Sequence, residues 1–265
     1  MKPLALKRTP FTLPLLVLLA GAAGPSAAQQ LFVNAASGAD TNPGTRERPL
    51  RSIAEAARRV NADTSSNSSE VIVAPGVYVL SQTALFKNNK AYTATDRLVI
   101  RAEALPDDPR WHPQQMPTVV TAVPLEADPG GETGNGIQIE VNHATIQGLR
   151  FTGGLDFYYK TPNQIRRTYP IWRDGKNLED LLVKQCVFIG DDQVMPLHVG
   201  VIANGHGLVL EHDIFYNVKN AWSSGAQRAE RAIATPCGTA WFTEPAPAAY
   251  GPWRPTAMIS IFPTT

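Results

Sequence analysis

The sequence predicts an all-β chain folded as a solenoid, in which short strands stack in successive coils. Three features predict this fold class. Short β-branched segments recur along the chain, a single amphipathic helix stands near the start, and no strand segment is followed by a helix of its own. The last feature argues against strands and helices that alternate around an open parallel sheet.

The clearest repeat consists of three segments that superimpose when they are aligned: ATIQGLRFTG (144–153), LLVKQCVFIG (181–190) and LVLEHDIFYN (208–217). Aligned positions lie 37 and then 27 residues apart. Two apolar columns result, one of Ile146, Val183 and Leu210 and one of Phe151, Phe188 and Phe215. Repeats of this length, built from short strands that end at Gly or Asn, are typical of solenoids in which each coil buries its inward residues against the next.

Four earlier segments follow the same scheme less strictly, as short β-branched runs separated by turn residues. They are EVIVAPGVYVL (70–80), DRLVIRAE (96–103), TVVTAVPLE (118–126) and NGIQIEV (135–141). We therefore expect the solenoid to begin well before the three clear repeats.

One helix is predicted from Ser52 to Val60. Ser52 and Glu55 have the spacing of a capping box, and the apolar residues from Ile53 onward recur at the helical spacing of one buried face. A stack of coils has an open end with unpaired strand edges, which must be covered. We expect the helix to cover that end.

The region around this helix resembles the N-terminal cap and first coil of secreted right-handed parallel β-helix proteins of the pectin-lyase-like superfamily. The matching residues are Ser37, Gly38, Asp40, Asn42, Pro43, Gly44, Thr45, Pro49, Ile53, Ala56, Pro75, Gly76 and Tyr78. The resemblance implies a right-handed parallel β-helix that extends to about Asn220. It is not specific for activity, since this superfamily contains lyases, hydrolases, epimerases and proteins without demonstrated chemistry.

Residues 1–28 have the pattern of a secretory signal peptide. Three basic residues precede a short apolar run that Pro14 interrupts, and small residues end the segment at Ala28. The run is too short to span a bilayer, so we expect export, to the exterior or the periplasm, without a membrane span.

The charge balance argues against nucleic acid as a partner. The whole chain has 24 Lys and Arg against 23 Asp and Glu, and the expected loss of three basic residues with the leader leaves a net charge of −2. The two cysteines, Cys186 and Cys237, are too few for a disulfide-stapled scaffold. Cys186 lies in an apolar strand pattern that favours a buried free thiol, although export leaves a bridge between the two open.

The composition of the sequence changes after Asn220, where prolines become frequent and the repeat ends. We expect the β-helix domain to span 29–220, and residues 221–265 to form an irregular tail with six prolines, which cannot donate to a strand ladder. Two interpretations stay open: an irregular C-terminal cap, or a frameshift or truncation after the third clear repeat.

The longest break in the repeat, Leu155 to Leu178, predicts a site for acidic sugars. Its basic residues outnumber its acidic ones by three, and several aromatic residues accompany them. Aromatic faces stack on sugar rings, and arginines bind carboxylates with two parallel hydrogen bonds. The candidate substrate-binding residues are Tyr158, Tyr159, Arg166, Arg167, Trp172 and Arg173. The alternative is an insertion that packs its aromatics on the solenoid and solvates its charges.

Other polar motifs are less specific. Asp191-Asp192 and Gly205-His206-Gly207 resemble signatures of polygalacturonase-type hydrolases, but they lie too close together for successive coils, and the partner motifs of that family are absent. Calcium is one candidate cofactor, held by Asp191, Asp192 and Asp213, although no tight acidic set is evident. Histidines 198, 206 and 212 match no zinc spacing, and we expect them at the surface.

The sequence therefore favours a secreted β-helix protein, expected to be monomeric, that acts on or binds an acidic polysaccharide. If it is an enzyme, we expect a polysaccharide lyase that works by β-elimination, or a glycoside hydrolase; the catalytic residues are unknown. The alternative is a non-catalytic carbohydrate-binding or surface solenoid, or an inactive fragment of a longer β-helix protein.

Overall fold

The protein is a right-handed parallel β-helix, as seen in a computed structural model. The structure describes residues 28–64, 68–87, 90–124, 126–128, 131–153, 165–190 and 197–223. Five coils follow one another along the axis, and every full coil contributes one strand to each of three sheets. The predicted fold class is confirmed.

The elements follow in chain order. The cap contains β1 (Gln29–Val33) and α1 (Ile53–Ala62), and the first coil contains β2 (Ser69–Val73), β3 (Val77–Leu80) and β4 (Ala84–Lys87). The second coil contains β5 (Leu98–Ala102), a 3-10 turn (Pro113–Gln115), β6 (Thr118–Thr121), β7 (Glu126–Asp128) and β8 (Gly131–Glu140). The third contains β9 (Ala144–Gln147), β10 (Arg150–Gly153) and β11 (Ile165–Arg173). The fourth contains β12 (Leu181–Lys184), β13 (Val187–Ile189) and β14 (Leu197–Ala203), and the fifth β15 (Leu208–Glu211), β16 (Ile214–Tyr216) and β17 (Val218–Ser223).

The three sheets run along the axis. Sheet A has the order β1-β2-β5-β9-β12-β15, sheet B has β3-β6-β10-β13-β16, and sheet C has β4-β8-β11-β14-β17. All of these pairs are parallel, and β7 adds one antiparallel pair at the start of β8. Since side chains alternate across a strand, every second residue points into the solenoid and stacks on its equivalent in the next coil.

The two columns predicted from the repeat are present. Val183 pairs with Ile146 on one side and with Leu210 on the other. The aromatic rings at Phe151, Phe188 and Phe215 stack in turn, with centroids 5.0 Å and 4.7 Å apart. A sequence alignment of the repeats therefore gave the strand register directly.

The predicted helix is present and slightly longer than expected. Ser52 is its N-cap, and the Ser52 hydroxyl accepts a hydrogen bond from the Glu55 amide at 3.1 Å. In a full capping box the Glu55 carboxylate would accept from the Ser52 amide, but here it pairs with Arg58 and Arg59. Asp40 accepts from the Ser52 amide in its place. The Ser52 amide donates to Asp40 Oδ1 at 2.9 Å, and the Ser52 hydroxyl contacts Asp40 Oδ2 at 2.8 Å.

The cap covers strand edges as the sequence predicted. Asn61 in α1 donates to the carbonyl of Leu85 at 2.7 Å and accepts from the amide of Lys87 at 2.9 Å, so its amide group replaces a neighbouring strand beside β4. On the outer edge of β1, Leu50 exchanges backbone hydrogen bonds with Phe32 and Asn34 at 2.8 Å. Edges closed in this way cannot recruit another chain.

Two of the residues that match the N-terminal cap and first coil of the pectin-lyase-like superfamily, Gly38 and Tyr78, have clear local roles. A side chain at Gly38 would place its Cβ 2.1 Å from the carbonyl oxygen of Leu50, so only glycine fits where the loop crosses the cap. The hydroxyl of Tyr78 is buried between the carbonyls of Val33 and Ala74, at 3.1 Å and 2.8 Å. Burial raises the pKa of Tyr78 to about 12, and the phenol joins the first coil to the cap.

The structure corrects two boundaries. The segment Leu155–Leu178 is not wholly a break in the repeat, because Ile165–Arg173 is strand β11 between β8 and β14. Each coil needs a third strand, and the proline in IRRTYPIWR hides that strand from a search for β-branched runs. The fifth coil also continues three residues past Asn220, to Ser223.

Two polar groups lie in the interior of the later coils. Cys186 is a buried free thiol, which agrees with the prediction, and its proposed partner Cys237 lies outside the described residues. Asp213 is 7% exposed, and its Oδ1 accepts from the Cys186 amide at 2.7 Å while its Oδ2 has no hydrogen-bond partner. Burial raises the pKa of Asp213 well above its usual value of 3.8.

The described part of the chain contains no helix long and apolar enough to cross a bilayer. The predicted signal peptide and most of the predicted tail fall outside the described residues. Both stay predictions.

Replacing Asp40 with Ala should lower the free energy of unfolding by about 1 to 2 kcal/mol, because the Arg51 and Ser52 amides and the Ser52 hydroxyl lose their shared acceptor. Urea denaturation followed by circular dichroism measures this difference. Asp107→Ala, at an exposed position, is the matched control. Equal unfolding midpoints for the two variants would contradict the role of Asp40 in the cap.

Replacing Asp213 with Asn should stabilise the protein at neutral pH. Because the folded-state pKa is raised, the wild-type protein loses stability as the pH rises from about 3.8 towards that raised pKa, whereas an amide carries no such penalty. Melting temperatures at pH 4 and pH 7 test this: the advantage of the variant should be larger at pH 7. An advantage that does not depend on pH would show that the carboxyl is not the cause.

Candidate functional site

The outer surface of sheet C brings together the aromatic and amide side chains that can bind a sugar. Trp172 on β11 pairs with Gln138 on β8 and with Ile202 on β14. These positions alternate with the inward residues Ile171 and Val201, so they face outward. We call the surface formed by Asn135, Gln138, Glu140, Tyr169, Trp172 and Ile202 the Trp172 face.

The polar half of the Trp172 face lies along β8. The Asn135 amide donates to Gln138 Oε1 at 3.4 Å, and the Gln138 amide donates to Glu140 Oε1 at 2.8 Å. These two hydrogen bonds fix the orientation of the Gln138 amide, because only one orientation lets its oxygen accept from Asn135 while its nitrogen donates to Glu140. The result is a row of oriented polar groups beside the indole.

The aromatic half lies on β11 and β14. The rings of Tyr169 and Trp172 meet edge to face, with centroids 5.8 Å apart. Tyr169, Val199 and Ile202 are buried and form a small apolar cluster apart from the solenoid core, and the half-buried Trp172 packs against it. This packing holds the indole in one orientation.

Two polar atoms of the Trp172 face lack partners. Trp172 Nε1 is a buried donor and Asn135 Oδ1 is a buried acceptor, and neither forms a hydrogen bond. A buried polar group without a partner costs about 1 to 3 kcal/mol. Both atoms are covered by neighbouring groups, so a ligand on the outer surface would contact the face of the indole and the amide groups rather than these two atoms.

Arg173, predicted to bind substrate at the surface, lies in the interior of the solenoid. Its side chain is only 1% exposed, because its position in the strand points it into the solenoid. Nε donates to the carbonyl of Asn204 at 2.7 Å and Nη1 to the carbonyl of His206 at 2.8 Å, while Nη2 has no partner. Burial lowers the pKa of Arg173 to about 10. A guanidinium held there does not reach a polysaccharide on the outer surface.

The other predicted binding residues are only partly covered by the structure. Tyr158 and Tyr159 lie outside the described residues. The backbone of Arg166 and Arg167 belongs to β11, paired with Glu132 and Thr133 of β8, and their side chains are not described. Both arginines and Trp172 therefore lie on one strand, with Trp172 five residues after Arg167.

A second polar cluster, which the sequence reasoning missed, lies at the corner between sheets C and A. Arg97 forms two hydrogen bonds with the Asp180 carboxylate, at 2.5 Å and 2.9 Å, and Asp180 Oδ2 also contacts His143 Nδ1 at 2.7 Å. Glu179 Oε1 lies 3.8 Å from His143 Nε2. We call Arg97, His143, Glu179 and Asp180 the corner cluster.

The backbone explains why these residues meet. Arg97, His143 and Asp180 each directly precede a strand of sheet A, so they occupy equivalent places in successive coils. His143 and Asp180 have positive φ angles of 53° and 57°. Asp and His are among the residues that tolerate this left-handed conformation best. An alignment of the residues that directly precede β5, β9 and β12 would have shown that Arg97, His143 and Asp180 form one column.

Electrostatics favour a charged Asp180. Hydrogen bonds from Arg97 lower the pKa of Asp180 below its usual value of 3.8, despite partial burial, and the contact with His143 acts in the same direction. The carboxylate is therefore ionised at neutral pH. Since an ionised carboxylate only accepts, the contact places the proton of a neutral His143 on Nδ1.

The described residues do not form a metal site. They contain no group of three or more His, Cys, Asp or Glu that could hold an ion. Of the predicted calcium ligands, Asp213 is turned into the core, where it does not fit a surface calcium site, and Asp191 and Asp192 fall outside the described residues. His206 and His212 are exposed, as predicted, and the side chain of His198 is not described.

No protein-family model matches the chain, and no curated protein sequence matches it. Among solved structures, it is similar to a GH136 lacto-N-biosidase from Eubacterium ramulus, with 15% identity and a TM-score of 0.39 over 69% of this chain and 34% of that one. It is also similar to a rhamnogalacturonan lyase, with 14% identity and a TM-score of 0.38 over 70% of this chain and 42% of that one. The chain thus spans between a third and a half of the length of these proteins.

Replacing Asp180 with Asn should destabilise the protein at pH 7, because Arg97 and His143 lose their charged acceptor while Asn still suits the left-handed backbone. A lowered pKa contributes stability that is present above pH 3.8 and is lost as the pH falls through the folded-state value. The difference in melting temperature from wild type should thus shrink below about pH 4. Glu179→Gln, an exposed neighbour, serves as the control, and a deficit that is constant down to pH 2.5 would contradict this assignment.

Proposed function

We propose that this chain is an exported, monomeric β-helix protein of the pectin-lyase-like type that binds and cleaves an acidic polysaccharide by β-elimination. The observation that carries the proposal is the Trp172 face, where an anchored indole lies beside a row of oriented amides. Aromatic rings stack on the apolar faces of sugar rings, and amides bind their hydroxyls.

The direction of the strands supports an extended ligand. Arg167 precedes Trp172 by five residues, which corresponds to at most about 17 Å along β11. A polysaccharide that lies along the strand would stack one ring on Trp172 and bring another towards Arg166 and Arg167. Guanidinium groups bind carboxylates with paired, charge-assisted hydrogen bonds, which favours a uronate over a neutral sugar there.

β-Elimination needs two aids from the protein. A base must remove the proton α to the uronate carboxylate, and a cation must stabilise the charge that develops on that carboxylate. Arg166 and Arg167 are candidates for the cation. Calcium, held in part by Asp191 and Asp192, is the alternative, and the dependence of the reaction on added calcium decides between them.

One observation favours a second candidate function, binding without cleavage. Arg173, which would be the nearest cation to Trp172 in the sequence, is directed into the solenoid. The described side chains of the Trp172 face include an indole, amides and the Glu140 carboxylate but no cation, and such a face suits recognition of a glycan more than stabilisation of a carbanion.

Replacing Trp172 with Ala should weaken binding to an acidic polysaccharide by about tenfold, since loss of an aromatic stacking contact costs on the order of 1 kcal/mol or more. Affinity electrophoresis in gels that contain pectate, alginate or a glycosaminoglycan measures the retardation. Trp111→Ala removes a half-buried tryptophan from outside sheet C and is the matched control. Equal retardation of the two variants would remove the Trp172 face from the proposal.

The reaction is tested separately from binding. Incubation of the wild-type protein with the same polymers, with and without calcium, should release unsaturated products that absorb in the ultraviolet. Retardation without any product would leave the binding function and exclude β-elimination of these polymers. Neither retardation nor product would exclude both functions for the polymers tested.

A further inference from the structure

We infer that His143 is the catalytic base of this protein, with Asp180 as the group that orients it. The inference rests on the proposed function, because it supplies the base that β-elimination requires. It is carried by the geometry of the corner cluster, in which one imidazole nitrogen is anchored and the other is available.

Arg97 holds the Asp180 carboxylate that orients the imidazole in one position. Arg97 binds both of its carboxylate oxygens and also donates from Nε to Thr145 at 2.8 Å and from Nη2 to the carbonyl of Ala144 at 2.9 Å. The guanidinium thereby joins the second, third and fourth coils. The carboxylate that contacts His143 Nδ1 at 2.7 Å therefore cannot follow the ring if the ring rotates.

The second nitrogen of His143 has the properties of a base. With the proton held at Nδ1, the lone pair lies on Nε2, the arrangement by which carboxylate-oriented histidines accept protons in enzymes. Nε2 is too far from Glu179, at 3.8 Å, to be committed to a hydrogen bond. The His143 side chain is 20% exposed, so the ring is partly open to solvent and to a ligand.

The position of His143 relative to the Trp172 face suits a chain-like substrate. His143 follows Gln138 by five residues and lies three residues past the end of β8 at Glu140, so His143 and Gln138 lie at most about 17 Å apart. Asp180 likewise follows β11, the strand that carries Trp172 and Arg167. A polysaccharide bound along these strands would extend from the arginines across the indole to the corner cluster.

The proton transfer balances without a further reagent. Nε2 of His143 accepts the proton from the uronate carbon α to the carboxylate, and the electron pair of that C–H bond becomes a carbon–carbon double bond. The glycosidic C–O bond at the neighbouring carbon breaks, and its electrons leave on the oxygen. That oxygen takes a proton from water, and the imidazolium later returns its proton to solvent.

The charged groups around His143 come from two coils of the solenoid. Asp180 and Glu179 of the fourth coil face the ring, and Arg97 of the second coil acts through Asp180. Asp96 precedes Arg97 and bonds to Thr93 and Thr95 instead.

The test compares two histidines that share a backbone conformation. His143→Asn removes the base, and Asn suits its φ of 53°. His212→Asn makes the same change at a φ of 57°, at an exposed histidine between β15 of sheet A and β16 of sheet B. On the polymer that wild type cleaves, His143→Asn should lower kcat by about 10²- to 10⁴-fold, with KM nearly unchanged. His212→Asn should retain the wild-type rate.

A third variant separates loss of the base from loss of the fold. His143→Gly keeps a residue suited to positive φ and opens a space, so added imidazole should restore part of the rate. If wild type cleaves and His143→Asn cleaves equally fast, His143 is not the base and the proposed function stands. If imidazole restores nothing to a folded His143→Gly variant, a structural role replaces the catalytic one. If wild type cleaves no uronate polymer, the proposed reaction and its base fall together.

Discussion

The backbone at the corners of the coils is the constraint on which the rest of this structure depends. Parallel strands stay in register only if each coil turns at the same points, and several turns use residues with positive φ. Five such non-glycine residues occur in the described ranges: His143, Asp180, Gln185, His212 and Asn217. The conformation costs about 1 to 2 kcal/mol per residue for most side chains. Corner positions therefore select Gly, Asn, Asp and His, and so place short polar side chains in columns along the surface.

The candidate site follows from the same constraint. A column of corner residues stacks Arg97, His143 and Asp180 on successive coils, although they are distant in sequence. The adjoining sheet C supplies the indole and the amides at outward strand positions. Chemistry-bearing side chains thus meet because the fold repeats, whereas the core needs only apolar residues at the inward positions.

Much of the fold was predictable from the sequence, because inward apolar residues and capping residues have strong local signals. The Phe151 column and the helix at Ser52 illustrate this. Strand β11 was missed because Pro170 interrupts it, and its pairing depends on neighbours in β8 and β14. The inward direction of Arg173 was not predictable either, since a charged residue in a strand usually faces solvent. Its burial is tolerated because carbonyls of the next coil accept from it.

Solenoids are usually described by the stability of each repeat and its contacts with adjacent repeats. The Arg97 guanidinium departs from that description, since it reaches from the second coil past the third to Asp180 in the fourth. Opening any one of these three coils breaks an interaction that the other two share. The middle of the solenoid should therefore exchange its amide hydrogens as one cooperative unit, while the fifth coil, which Arg97 does not reach, opens independently.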